Sequence, residues 1–247
     1  MTTSIKKHNA LQTILLHLIP GLFNLLAIII ITPFTSRLGY AENGRLLAGE
    51  LMVIVSIFVI QIGLLLFIAK RTTKTCNILK LIPFQEKSRF IEYLLFTVIM
   101  VVWALTVSAV LTPFEHGLRD GLFAFVPDNF AGRNVNYFVT SKNLLIFAAS
   151  FAIFTNGIIA PVTEELYFRG YLLPRINASP ITAVIINAAL FSLYHFFSPW
   201  YFFSRLVMMI PLYYWVMKRK NIRFSIISHV IANIFTSVSI LLQILRL

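Results

Sequence analysis

The sequence predicts an all-α fold: a polytopic transmembrane helical bundle of about seven to eight helices, forming a single integral membrane domain. Two observations carry this. Of 247 residues, 58% are hydrophobic and 12% charged, about half the charged share of a soluble domain. The apolar residues also come in runs close to the ~20 that a helix needs to cross a bilayer core. The solvent for most of this chain is therefore lipid.

The runs lie at 10–32, 50–69, 91–112, 144–160, 180–197, 201–217 and 224–245. The first is too long for a signal-peptide core and no small-residue cleavage pattern follows it, so it reads as a retained helix. A further helix over 162–174 follows Pro161 and reads as a continuation of the fourth run past a proline kink. No repeat, low-complexity tract or long linker divides the chain. Residues 1–143 hold helices without motifs, and 144–247 hold those with them. The single cysteine, Cys76, excludes an intrachain disulfide and a cage of thiolate metal ligands.

The formal net charge of +12 is spread through loops between apolar runs. That pattern speaks for anionic lipid headgroups and topology, and against nucleic acid, which needs a basic stripe. Lys6 and Lys7 precede the first run. Lys70, Arg71, Lys74, Lys80, Lys87 and Arg89 follow the second, and Lys218, Arg219, Lys220 and Arg223 follow the sixth. The loop of 114–143 is mixed in sign and reads as a connection rather than a lid over substrate. The alternation predicts a cell-membrane protein with a cytoplasmic N-terminus.

Polar groups inside apolar runs are the informative residues, because each ionisable group at mid-bilayer costs about 3 kcal/mol. Glu164, Glu165 and Arg169 occur in APVTEELYFRGYLLPRI, His195 in ALFSLYHFF, and His229 and Asn233 in SIISHVIANIF. Glu165 and Arg169 are four apart and pair on one helix face, leaving Glu164 as the free carboxylate. His229 and Asn233 share a face in the same way. Phe191 sits one turn from His195, with its ring beside the imidazole. By contrast Glu50, Glu92, His17 and Gln61 lie near run ends or alone and suggest no role; His8 and His116 read as solvated, and Trp200 and Tyr201 as an interfacial pair. A carboxylate, two imidazoles and an amide meeting at one buried point can hydrolyse a peptide bond, with a base for water and donors for the oxyanion.

These residues form three patterns in order: Glu164-Glu165-x-x-x-Arg169, Phe191-x-x-x-His195 and His229-x-x-x-Asn233. Over roughly 150–240 the sequence resembles the CPBP (Abi) intramembrane proteases, which include the type II CAAX prenyl endopeptidases. The resemblance implies an endopeptidase in which Glu164 activates water, His195 helps to orient it, and His229 and Asn233 stabilise the oxyanion. Glu165, Arg169 and Phe191 would support them. Its substrate would be a CAAX-like tail, with or without a lipid, or a bacteriocin or other peptide precursor. Glutamate catalysis without a cofactor is the favoured form; zinc held by Glu164, His195 and His229 is the alternative. Two other functions compete: a non-enzymatic scaffold or bacteriocin self-immunity protein on the same fold, and a proton path through buried Glu and His. A geometric demand goes with the peptidase reading. His195 and His229 would differ in depth by about 10–15 Å if every helix crossed fully, so a shared site requires tilt or a helix that stops short.

Overall fold

The computed structural model describes residues 5–37, 44–131, 133 and 142–246. Seven long helices run back and forth: α1 (Ala10–Arg37), α2 (Leu46–Thr73), α3 (Phe90–Asp120), α4 (Lys142–Arg175), α5 (Pro180–Tyr194), α6 (Phe202–Arg219) and α7 (Arg223–Arg246). Among the described residues there is no strand, only two isolated bridges. Five helices, α1 to α4 and α7, are long and apolar enough to cross a membrane. The expectation of seven complete crossings is corrected at α5 and α6. With 15 residues, α5 reaches about 22 Å, short of a hydrocarbon core of about 30 Å. α6 carries Arg205, Lys218 and Arg219 in 18 residues.

Burial is inverted relative to a soluble protein. Leu11, Leu22, Leu26 and Ile30 on α1, and Leu95, Ile99 and Val102 on α3, are exposed. His17, Glu50, Gln61, Glu165, Arg169 and Asn187 are almost wholly enclosed. Exposed apolar surface on this scale is what lipid covers, and polar groups turned inward avoid it.

The loop ends that carry most of the basic residues gather at one end of the bundle. Lys7 donates to the Pro174 carbonyl at 2.9 Å, Arg175 to the Leu81 carbonyl at 3.0 Å, and Ile222 N–H to the Phe84 carbonyl at 3.0 Å. Loop 114–143 begins as helix, since α3 extends to Asp120, and contains a short helical turn at Asp128–Ala131; the lid question concerns mainly 134–141, outside the described residues. Trp200 is 1% exposed, so it packs inside rather than lying in an interfacial belt.

α4 is one continuous 34-residue helix, but not a uniform one. It widens to π geometry at Thr155–Ile159 and again at Glu165–Leu172. The first wide turn accommodates Pro161, whose ring clashes with a regular preceding turn and whose nitrogen has no proton. The second contains Glu165 and Arg169. Such wide turns are rare and concentrate at functional sites.

Candidate active site

Glu165 is the hub. Its Oε1 accepts from His229 Nδ1 at 2.9 Å, which ties α4 to α7. Its Oε2 lies 3.1 Å from Arg169 Nε, yet this N–H is poorly aimed and forms no hydrogen bond. The pair is held by charge and by rings. The Arg169 guanidinium lies between Phe191 and Tyr213, 3.9 and 3.8 Å from their centroids. Its Nη2 also approaches Met209 Sδ at 3.7 Å. Cation–π contact is strongest where water is excluded, and Arg169 is 0% exposed.

Glu164 is buried on the other side of α4, close to Tyr194, the last residue of α5. Gln61 on α2 donates its amide to the Tyr194 hydroxyl at 2.8 Å. Because that phenol oxygen accepts from Gln61, its own proton is available to a neighbouring acceptor. The neighbouring Asn24 and Ser56 add a second polar pair, with Ser56 Oγ donating to Asn24 Oδ1 at 2.6 Å. His17 joins the same polar layer lower down: its Nδ1 donates to the Thr13 carbonyl at 2.7 Å, and its Nε2 accepts from Asn187 at 2.9 Å.

His195 follows α5 directly. Its ring packs edge-on to Phe191 at 4.9 Å, and Nδ1 donates to the Phe191 carbonyl at 2.9 Å. In the neutral ring this leaves Nε2 as an acceptor. α5 is a helix that stops short, ending at Tyr194, and the Phe191 ring lies against both His195 and the Arg169 guanidinium. α1 presses against this end, and a Cβ at Gly21 would overlap the Tyr194 carbonyl.

Asn233, one turn beyond His229 on α7, donates Nδ2 to the Asn156 carbonyl of α4 at 2.9 Å. His229 and Asn233 line a cavity of about 170 Å³ between α3, α6 and α7, walled mainly by apolar groups such as Met100, Ala104, Met208 and Met209. Glu164 and His195 do not line it. The fold thus links the first and third patterns through the Glu165–His229 hydrogen bond, and the first and second through the contact of Arg169 with the Phe191 ring. Among the described residues no three His, Cys, Asp or Glu side chains are grouped to hold a metal ion.

The family model described as type II CAAX prenyl endopeptidase Rce1-like matches residues 145–235. The matched segment contains the helices that carry all three patterns. A stretch of 79 residues is also 35% identical to the UPF0177 protein YxdF of Lactococcus lactis subsp. lactis (strain IL1403), covering 32% of this chain and 44% of that protein. The chain therefore spans less than half of that relative. No solved structure matches it. The segment that the family model matches includes none of the residues Asn24, Glu50, Ser56 and Gln61 that complete the polar layer.

Proposed function

We propose that this protein is an intramembrane endopeptidase in which Glu164 is the general base. The observation that carries the reading is the Glu165–His229 hydrogen bond, which draws the first and third patterns together while Glu164 remains available. Water would sit between Glu164 and the acceptor Nε2 of His195, and Glu164 would take its proton as the oxygen attacks the peptide carbonyl. Asn233 Nδ2 and His229 Nε2 would then face the developing oxyanion. With Nδ1 donating to Glu165, His229 can donate from Nε2 only as the imidazolium, so the oxyanion role calls for a proton on this ring. On collapse of the tetrahedral intermediate, the protonated Glu164 would return its proton to the leaving amine.

The walls of the cavity beside His229 and Asn233 suit an apolar chain. A peptide with a lipidated or strongly apolar C-terminal tail is the substrate class we favour; a bacteriocin precursor is the second. The N-terminus would face the cytoplasm of the cell membrane, as the basic end of the bundle suggests. Catalysis would need no cofactor. The test is cleavage of a panel of farnesylated and unmodified membrane peptides by protein reconstituted in lipid, with Glu164→Ala as control and a zinc chelator in parallel. Loss in the mutant with retention in the chelator supports glutamate catalysis; loss in both would favour zinc. No cleavage by the wild type would move the weight to a scaffold or immunity role.

A further inference from the structure

The reaction outlined above makes no use of Glu50, a carboxylate on α2 that is 1% exposed. No cation pairs with it among the described residues; its contacts are the Thr155 hydroxyl and, at 3.1 Å, Asn156 Nδ2. Both partners belong to the first wide turn of α4. In that turn Ala160 N–H bonds the Thr155 carbonyl, five residues back. The Asn156 carbonyl would next take the N–H of residue 161, but Pro161 has none. Its helical donor is missing, and a main-chain carbonyl on a lipid-facing surface must find another. It accepts Asn233 Nδ2 at 2.9 Å.

We propose that Glu50 and Asn156 are positioning residues for Asn233, with Pro161 opening the carbonyl that receives it. Glu50 fixes the Thr155–Asn156 side of the wide turn from α2, and the turn presents one free carbonyl to α7. That bond restrains the Asn233 amide, so one of its protons is bound to Asn156 and the other is left to face the cavity. A carboxylate without a countercharge is a costly way to join two helices. It is suited to gripping a hydroxyl and an amide together, since it accepts from both.

The inference rests on the peptidase reading for its catalytic meaning, and the experiment separates the two. A quenched fluorescent peptide ending in a farnesylated cysteine tripeptide is cleaved by lipid-reconstituted wild type, Glu50→Ala, Glu50→Gln, Pro161→Ala, Asn233→Ala and the Glu50→Ala/Asn233→Ala double variant. Glu50→Ala should lower kcat by on the order of tenfold to a hundredfold, the scale of a misplacement near 1 Å, with KM little changed. Glu50→Gln should recover most of it, because its amide can accept from Asn156 and donate to Thr155. Pro161→Ala should lower kcat by supplying the competing N–H. The double variant should be no slower than Asn233→Ala alone. A loss in Glu50→Ala that adds in full to that of Asn233→Ala, or one confined to KM, overturns the relay. Full kcat in Asn233→Ala instead overturns the oxyanion role of Asn233. Independently of turnover, the side-chain amide resonance of Asn233 in ¹⁵N-asparagine-labelled protein should shift in Glu50→Ala and Pro161→Ala; an unmoved resonance refutes the anchoring even if no peptide is cut.

Discussion

Replacing Arg169 by methionine isolates the charge cluster under the site. The substitution keeps an unbranched apolar side chain of moderate size between Phe191 and Tyr213 but removes the cation from both faces. It leaves Glu165, 0% exposed, with His229 as its one remaining ionic partner among the described residues. Breaking a buried ion pair from one side costs about 3–5 kcal/mol. The hydrogen-bond share is small, since Arg169 Nε and Nη1 have no acceptor, and the cation–π share is about 2 kcal/mol where water is excluded. Partners available in the membrane-embedded unfolded state lower the balance, so we expect a loss of about 3 kcal/mol. That corresponds to roughly a hundredfold in the folding equilibrium, at about 1.4 kcal/mol per decade. Reversible unfolding by SDS in mixed micelles measures it. Arg169→Met/Glu165→Gln should recover much of the loss, because the uncompensated carboxylate is then gone. An Arg169→Met variant within about 0.5 kcal/mol of wild type, the range of an ordinary surface substitution, would refute the cluster's structural role.

Other consequences can be checked alongside. Tyr194→Phe removes the hydroxyl beside Glu164 and, if that hydroxyl donates to the carboxylate, should lower kcat by roughly tenfold to a hundredfold, the worth of a hydrogen bond to a charged group, without altering thermal stability to the same degree; equal activity in the variant would detach Tyr194 from Glu164. Gly21→Val should destabilise the protein and displace the end of α5, since there is no room beside the Tyr194 carbonyl; a variant of unchanged stability and peptidase activity would contradict that close approach. For the N-terminal segment, burial and then the nearby charges of Arg175 and Lys6 hold His8 below its ordinary value of 6.5. The docked form is therefore the neutral one: docking is fully stable above about pH 6.5 and weakens as pH falls below it. Amide exchange at residues 8 and 176, which bridge each other, should quicken between pH 7 and 5, and His8→Phe should abolish the dependence.

Local spacing was legible in the sequence, and long-range partnership was not. Glu165 and Arg169 meet because four residues make about one turn, and Phe191 touches His195 for the same reason. The apolar runs also marked where the helices start to within a few residues, although α3 runs on to Asp120, past the end of its run at 112. Glu50, Gln61 and His17 looked like strays because their partners lie on other helices: Asn156 is 106 positions from Glu50, Tyr194 is 133 from Gln61, and Asn187 is 170 from His17. No spacing rule reaches that far. A carboxylate at the edge of an apolar run was nevertheless a signal in itself, given what it costs in lipid. Pairing Glu165 only with Arg169 also hid its bond to His229, since one carboxylate has two oxygens: one lies by Arg169 on its own helix and the other reaches α7. The wide turns of α4 left a trace in Pro161, but proline alone does not distinguish a kink from a π turn. The early stop of α5 is invisible in an apolar run that continues through Phe196 and Phe197.

The most direct test of the central claim is peptide cleavage in H2¹⁸O by wild type and Glu164→Gln in lipid, with products read by mass spectrometry. The account predicts a product with one ¹⁸O in its new carboxylate from the wild type and a loss of several orders of magnitude in Glu164→Gln, whose amide cannot take a proton from water. Comparable cleavage by both proteins would contradict it.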